Sequence, residues 1–158
     1  MPLHLEIVTP ERRAFEGDVD EVIVPGSEGE LGILPHHAPL ISLLGQGVLR
    51  YKQGAKSEEF AIFGGFLQVR PDRVVVMAET ADLASEIDVE RAERARREAE
   101  RQLEGEAGDA DLASGRAALQ RALIRLRVAE RGARTQGRGE HEGMHRAPRR
   151  SPKEPPGA

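Results

Sequence analysis

"QGVLRYKQGAKSEEFAIFGGFLQVRPDRVVVMAE", Gln46 to Glu79, is the stretch that decides the fold. Within it "GVLRYK", "SEEFAIFG", "GFLQVR" and "RVVVMAE" are short runs rich in Val, Ile, Leu and Phe. They alternate partly between apolar and polar positions, the period of a strand with one buried face. The pairs Gln53-Gly54 and Pro71-Asp72 separate them and suit hairpin turns. Gly64-Gly65 falls inside an apolar run, which predicts a bulge or a close backbone approach rather than a loop. Upstream, "HLEIV" and "VDEVIV" have the same character. Short strands at this spacing, with no long helical pattern between them, predict an antiparallel β-sandwich or barrel over residues 1–86. All five aromatics, Phe15, Tyr51, Phe60, Phe63 and Phe66, lie in that segment, so the main core belongs there.

After Ser85 the period changes. Residues 87–104, "IDVERAERARREAERQLE", are nearly all strong helix formers, with Ala92, Ala95, Ala99 and Leu103 spaced three or four apart as a narrow stripe of small residues. Ser85 and Asp88 fit a capping box with Asp in place of Glu, and Asp88 and Glu90 suit the positive end of the helix dipole. "GEAGDA", residues 105–110, breaks the helix. A second helix is expected over about residues 111–131, carrying Leu112, Leu119, Leu123 and Leu126 on one face. Two helices joined by a short loop predict an antiparallel hairpin, residues 87–131. Residues 132–158 are Gly-, Pro- and Arg-rich with Met144 as the one large apolar side chain, a composition that predicts a disordered tail.

Charge narrows the function classes. Residues 1–86 carry 7 basic and 14 acidic groups, residues 87–131 carry 10 of each, and residues 132–158 carry 6 basic and 3 acidic. An acidic first half is a poor nucleic-acid surface. The chain has no cysteine, which excludes a disulfide framework and a thiolate zinc site. No run of about eighteen apolar residues is present, and "MPLHLEIVTPE" lacks both a secretory core and an Arg/Ser-rich transit pattern. The expectation is a protein that folds where it is made and does not itself span a membrane.

"GSEGELGILPHHAPLISLL", Gly26 to Leu44, offers adjacent histidines, acids, glycines and prolines. His36 and His37 lack the His-x-His and His-x-x-x-His spacings of a metal site, so an interface role outweighs ligation. Asp18, Asp20 and Glu21 read as solvent-facing residues around "VDEVIV" rather than paired acids. Neither phosphate-loop pattern, GxGxxG nor GxxxxGK, occurs, and Thr9, Ser27, Thr80 and the scattered histidines assemble no nucleophile–base constellation. No catalytic and no metal residue is assigned.

Taken together, "GSEGELGILPHHAPL", "FGGFLQVRPDRVVVMAE", "IDVERA" (Ile87 to Ala92) and "LIRLRVAE" (Leu123 to Glu130) resemble, in order, the signatures of the epsilon subunit of F-type ATP synthases. That resemblance covers residues 3–131. It implies a non-catalytic central-stalk rotor subunit that couples proton flow to ATP synthesis and restrains ATP hydrolysis through its C-terminal helices. It implies standing contact with the gamma subunit and the c-ring, conditional contact with alpha and beta, and a peripheral place on the cytoplasmic face of a bacterial inner membrane. Carried over, Glu30 would approach the c-ring and Thr9 and His37 would face gamma, with Gly29 a further partner-contact residue. His36 stands where most members have glycine; at positive φ it would carry some strain.

The resemblance also implies a nucleotide site. Ile87, Asp88, Arg91 and Ala92 match its motif on the first helix, Arg121 and Arg125 its arginines on the second, and Asp82 stands where some members have Glu. No cofactor is required; weak regulatory binding of ATP, without hydrolysis, is the expectation. Glu98, where a strong binder has arginine, argues for weakness, with Arg97 as a compensating cation. The spacing alone equally allows ordinary Asp–Arg surface pairs. Two other readings are a stand-alone ATP-sensing module, and a metal-dependent sandwich enzyme using His36 and His37.

Overall fold

The computed structural model describes residues 2–105 and 108–142. Eight strands come first: β1 (Leu3–Val8), β2 (Arg13–Val19), β3 (Glu21–Gly26), β4 (Gly29–Ile33), β5 (Leu40–Leu43), β6 (Gln46–Gln53), β7 (Lys56–Val69) and β8 (Arg73–Leu83). A 3₁₀ turn (Ala84–Glu86) leads into α1 (Val89–Glu104) and α2 (Asp109–Glu142).

One continuous ladder, β2-β1-β8-β7-β6-β3-β4, folds on itself to make the sandwich. The long strand β7 belongs to both layers. Its first half pairs with β6 (Gln46↔Phe63 to Gln53↔Lys56) and its second half with β5 (Leu43↔Phe66 to Leu40↔Val69). Phe60 and Ile62 point into the core before the change-over, Leu67 and Val69 after it, so the inward face switches parity between them. The switch falls at Gly64 (φ 69) and Gly65 (φ 113), a conformation side-chain-bearing residues rarely adopt. A Cβ on Gly65 would lie 2.0 Å from the Met77 carbonyl oxygen. The expected close backbone approach is therefore what lets one ribbon serve two layers.

All pairings are antiparallel except β1 with β8, which is parallel (His4↔Arg73 to Val8↔Met77). The core between the layers includes Leu3, Leu5, Ile7, Val22, Val24, Leu49, Tyr51 and Phe60, each at most 1% exposed. Phe15 on β2 stacks on Tyr51 of β6 with centroids 4.4 Å apart. Burial and the bond to the Glu58 carboxylate (2.7 Å) push the Tyr51 hydroxyl's pKa well above its ordinary value.

The predicted turns at Gln53-Gly54 and Pro71-Asp72 close the β6–β7 and β7–β8 hairpins. The strands β2, β4 and β5 have no clear signature in the sequence. β2 and β4 are edge strands, polar or glycine-bearing as solvated edges tend to be. In the four-residue β5, Ile41 and Leu43 point outward, which inverts the usual pattern. His36 sits in the turn that follows β4 with φ 67, so histidine occupies a glycine-type conformation there.

The helical segment departs from expectation in three places. Asp88 is itself the N-cap, its Oδ1 accepting from the Arg91 backbone N–H at 3.1 Å, while Ser85 lies in the 3₁₀ turn and caps nothing. The leucine face of α2 is not its buried face: Leu123 is 45% exposed, whereas Ala122, Ile124 and Val128 are buried. α2 must satisfy two neighbours, and the small Ala122 and Gly115 admit α1 while Ile124 and Val128 meet the sandwich. Finally, α2 continues to Glu142, past the expected end near 131. Arg131 bonds Glu59 on β7 at 3.1 Å and Gly132 presses on Ala84, packing that overrides the glycine's poor helix propensity. The rest of the expected tail, residues 143–158, lies outside the described residues.

Candidate functional site

The hairpin is antiparallel, since Ala92 near the start of α1 shares a cleft with Ala118 and Ala122, while Leu103 near its end meets Gly115. Ala92, Ala99 and Ala122 are buried along the seam, so the helices approach closely over little apolar area. The hairpin meets the sandwich through a second, small core of Ala61, Phe63, Ile124 and Val128, with Val48, Ala84 and Ile87 at its margin.

Where hairpin, 3₁₀ turn and sandwich meet, a cleft of about 380 Å³ opens. All seven residues assigned to the nucleotide site line it: Asp82, Ile87, Asp88, Arg91, Ala92, Arg121 and Arg125, joined by Glu86, Ala95 and Ala118. Asp82, at the end of β8, holds Arg125 of α2 (Oδ2 to Nε, 3.1 Å). The Arg125 guanidinium also lies over the Phe63 ring, 4.7 Å from its centroid, a cation–π contact that crosses the same seam. Asp88 is engaged by the helix cap. Among the described residues, no carboxylate lies within salt-bridge distance of Arg91 or Arg121. Two guanidiniums without counter-ions, one from each helix, thus face a shared cleft floored by alanines. That arrangement can take an anion carrying a flat apolar group.

Glu98 and Arg97 do not line this cleft. Glu98 pairs instead with Arg101 at 3.6 Å. The sequence overlooked three neighbours of the site: Phe63 beneath Arg125, Glu86 on the cleft wall, and Arg12, whose Nη2 lies 2.7 Å from Glu86. Phe63 and Arg12 carry no local signal, because each reaches the site from a distant segment, whereas Glu86 directly precedes the Ile87–Ala92 motif and lies just outside it.

The four edge residues are not gathered in the same way. Thr9 closes the β1–β2 turn, its hydroxyl against the Arg12 backbone at 3.2 Å. Gly29 (φ 138) and Glu30 open β4 and are exposed, and Glu30 lines a recess shared with Arg50, Arg127 and Arg131. His37 follows the turn that His36 anchors to the Pro71 carbonyl at 2.7 Å, and its Nδ1 lies 2.7 Å from the Ala38 carbonyl. Thr9 and His37 therefore sit near opposite ends of the β8 stretch paired with β1, on the order of 13 Å apart along the strand. The outer sheet surface carries exposed apolar side chains, Ile41 at 75%, Leu43 at 55%, Phe66 at 53% and Met77 at 40%, with Leu43, Phe66 and Met77 in adjacent register, beside a polar recess lined by Glu6, Gln68, Arg70 and Arg73.

Fold and cleft define a class: a β-sandwich with an exposed apolar patch and a lightly packed helical arm, joined at an arginine-lined cleft. The β-sandwich domain of the ATP synthase delta/epsilon chain matches residues 2–84, and its long α-helix domain matches residues 85–130. The chain belongs to the ATP synthase delta/epsilon chain family. It is 46% identical to the ATP synthase epsilon chain of Desulforamulus reducens over 126 residues, 80% of this chain and 96% of that one. To the epsilon chain of Dehalococcoides mccartyi it is 49% identical over 129 residues, 81% and 92% of the two. Among solved structures it is similar to a chain of the Euglena gracilis mitochondrial ATP synthase OSCP/F1/c-ring assembly, with TM-score 0.67, 25% identity, and coverage of 75% of this chain and 76% of that one. A chain of the Tetrahymena thermophila mitochondrial ATP synthase central stalk and c-ring shares the fold at TM-score 0.50 and 16% identity, covering 84% of this chain and 96% of that one. Among the described residues no helix is long and apolar enough to cross a membrane.

Proposed function

We propose that this chain is a central-stalk subunit of an F-type ATP synthase, making and breaking no bond itself, which couples rotation of the proton-driven c-ring to the catalytic head. The exposed apolar patch of Ile41, Leu43, Phe66 and Met77 supports docking on another stalk subunit, gamma, because patches of this kind mark interfaces. Exposed Glu30 at the β3–β4 tip supports a polar contact with the c-ring. On this reading the chain lies peripherally, on the cytoplasmic face of a bacterial inner membrane.

The hairpin is the regulatory part. The observation that carries this is the separateness of its core: Ala61, Phe63, Ile124 and Val128 form a cluster apart from the sandwich interior, so the arm can leave without opening the main core. Docked, it leaves hydrolysis free; released, it reaches toward the alpha and beta subunits and restrains it. ATP in the cleft, held by Arg91, Arg121 and Arg125 with Ala92, Ala95 and Ala118 beside the base, favours the docked state without being hydrolysed. At ten times the dissociation constant it contributes about 1.4 kcal/mol.

The chain lacks cysteine, so a designed disulfide is unique. A Cβ at position 132 would lie 2.5 Å from the Ala84 Cβ, so Ala84→Cys with Gly132→Cys bonds across the contact after a shift of about 1 Å. In a reconstituted synthase the oxidised form should hydrolyse ATP faster than the reduced form. Equal rates would show that the hairpin is not the brake.

A further inference from the structure

Arg12 lies in the turn between β1 and β2, far in sequence from both helices and outside the cleft lining. Its guanidinium nonetheless makes two contacts beside the cleft. Nη2 donates to the Ala81 carbonyl at 3.1 Å, and the same nitrogen lies 2.7 Å from Glu86 Oε2. The turn that carries it is closed on itself, with Thr9 N–H donating to the Arg12 carbonyl at 2.9 Å and Arg12 N–H donating to the Thr9 hydroxyl at 3.2 Å. Arg12 is therefore held from both its backbone and its head.

The charges lining the cleft are three carboxylates, Asp82, Glu86 and Asp88, and three guanidiniums, Arg91, Arg121 and Arg125. Asp82 is matched by Arg125, and Asp88 accepts the Arg91 backbone N–H at the positive end of α1. Among the described residues Glu86 has no such partner within the cleft, and its ion pair comes from Arg12. Without that pair a bare carboxylate would stand beside an incoming polyphosphate.

We infer that Arg12 is a positioning residue that sets the anion affinity of the cleft by neutralising Glu86 and holding it aside. The inference rests on the reading of the cleft as a nucleotide site. It adds a fourth arginine, from the sandwich edge, to the residues governing that site, and it makes affinity depend on the β1–β2 turn. Anything that displaces the turn then lowers ATP affinity and frees the arm, with no contact to nucleotide.

The test is calorimetric titration of the full-length protein with ATP, ADP and AMP, for the wild type, Arg12→Ala, Glu86→Gln and the double variant. Arg12→Ala should weaken ATP binding roughly three- to tenfold at low salt, with the loss shrinking from ATP to ADP to AMP as ligand charge falls. The double variant should return to within about twofold of the wild type, because the exposed acid is gone. A merely structural role would lower all three nucleotides alike and would not be rescued by Glu86→Gln. Either that pattern, or unchanged binding in Arg12→Ala, overturns the inference while the nucleotide reading stands. A wild type that binds none of the three at millimolar concentration sinks the nucleotide reading and this inference with it.

Discussion

The sandwich and the hairpin bury different kinds of residue. The sandwich interior holds Tyr51, Phe60 and many leucines, isoleucines and valines at close to zero exposure, whereas the seam between the helices is closed by Ala92, Ala99 and Ala122. Burial contributes in proportion to apolar area, so each sandwich side chain stabilises its region by several times what an alanine does. The sandwich is built to stay folded, and the hairpin to be held by a margin that a ligand or partner can exceed. Among the described residues the arm is held by Ile124 and Val128 on Ala61 and Phe63, by Arg125 on Asp82 and the Phe63 ring, by the Glu59–Arg131 pair, and by Gly132 against Ala84.

The largest effect should come from Phe60→Ala, which empties a 1% exposed site between Tyr51 and Leu83. A loss of about 3–5 kcal/mol is expected by chemical denaturation, a large part of a domain's typical stability. A loss below about 1 kcal/mol would erase the distinction between the two cores. Next is Gly65→Ala, where a Cβ meets the Met77 carbonyl at positive φ. It should cost about 3 kcal/mol, and a neutral outcome would mean the β7 change-over does not need that approach.

Ile124→Ala should act on the other side of the comparison. About 2 kcal/mol should be lost from docking of the arm alone. Amide exchange in α2 would rise while the sandwich melts unchanged; a matching fall in sandwich stability would mean that the two regions unfold as one.

The smallest effect concerns the outer edge, where His4 lies 3.0 Å from Asp18 and 3.2 Å from Glu16. Hydrogen bonds to Asp18 and then Glu16 raise the His4 pKa above its ordinary 6.5, although desolvation and nearby Arg73 pull the other way. A folded pKa above the unfolded one stabilises fully below pH 6.5 and is lost as pH rises through the folded value. The Glu16 pKa is lowered from 4.5, chiefly by the His4 bond and then by Arg13, so its contribution is present above 4.5 and lost as pH falls through the depressed value. Wild type should be slightly more stable at pH 6 than at pH 8, and His4→Gln should flatten that difference. A difference of the same size in the variant would assign it to another group.

Much of this was legible from local pattern. The strand runs around Tyr51, Phe60 and Val74 carry the period of a half-buried strand, and residues 87–104 carry that of a helix with a small-residue stripe. What stayed hidden depends on contacts between distant segments. β5 turns its large apolar residues outward, Ser85 was mistaken for the cap that Asp88 provides, and the leucines of α2 were mistaken for its buried face.

The sequence by itself determined the element types and the division into a sandwich and a helical arm, because periodicity and capping chemistry are local properties; seven candidate site residues came from the resemblance of its motifs to a family, not from spacing. Tertiary structure alone decided that those seven residues line one cleft, that α2 runs on past Gly132, and that Arg12 stands beside Glu86. Each of these joins groups tens of residues apart, where the deciding quantity is which surfaces exclude water together, and no local pattern encodes that.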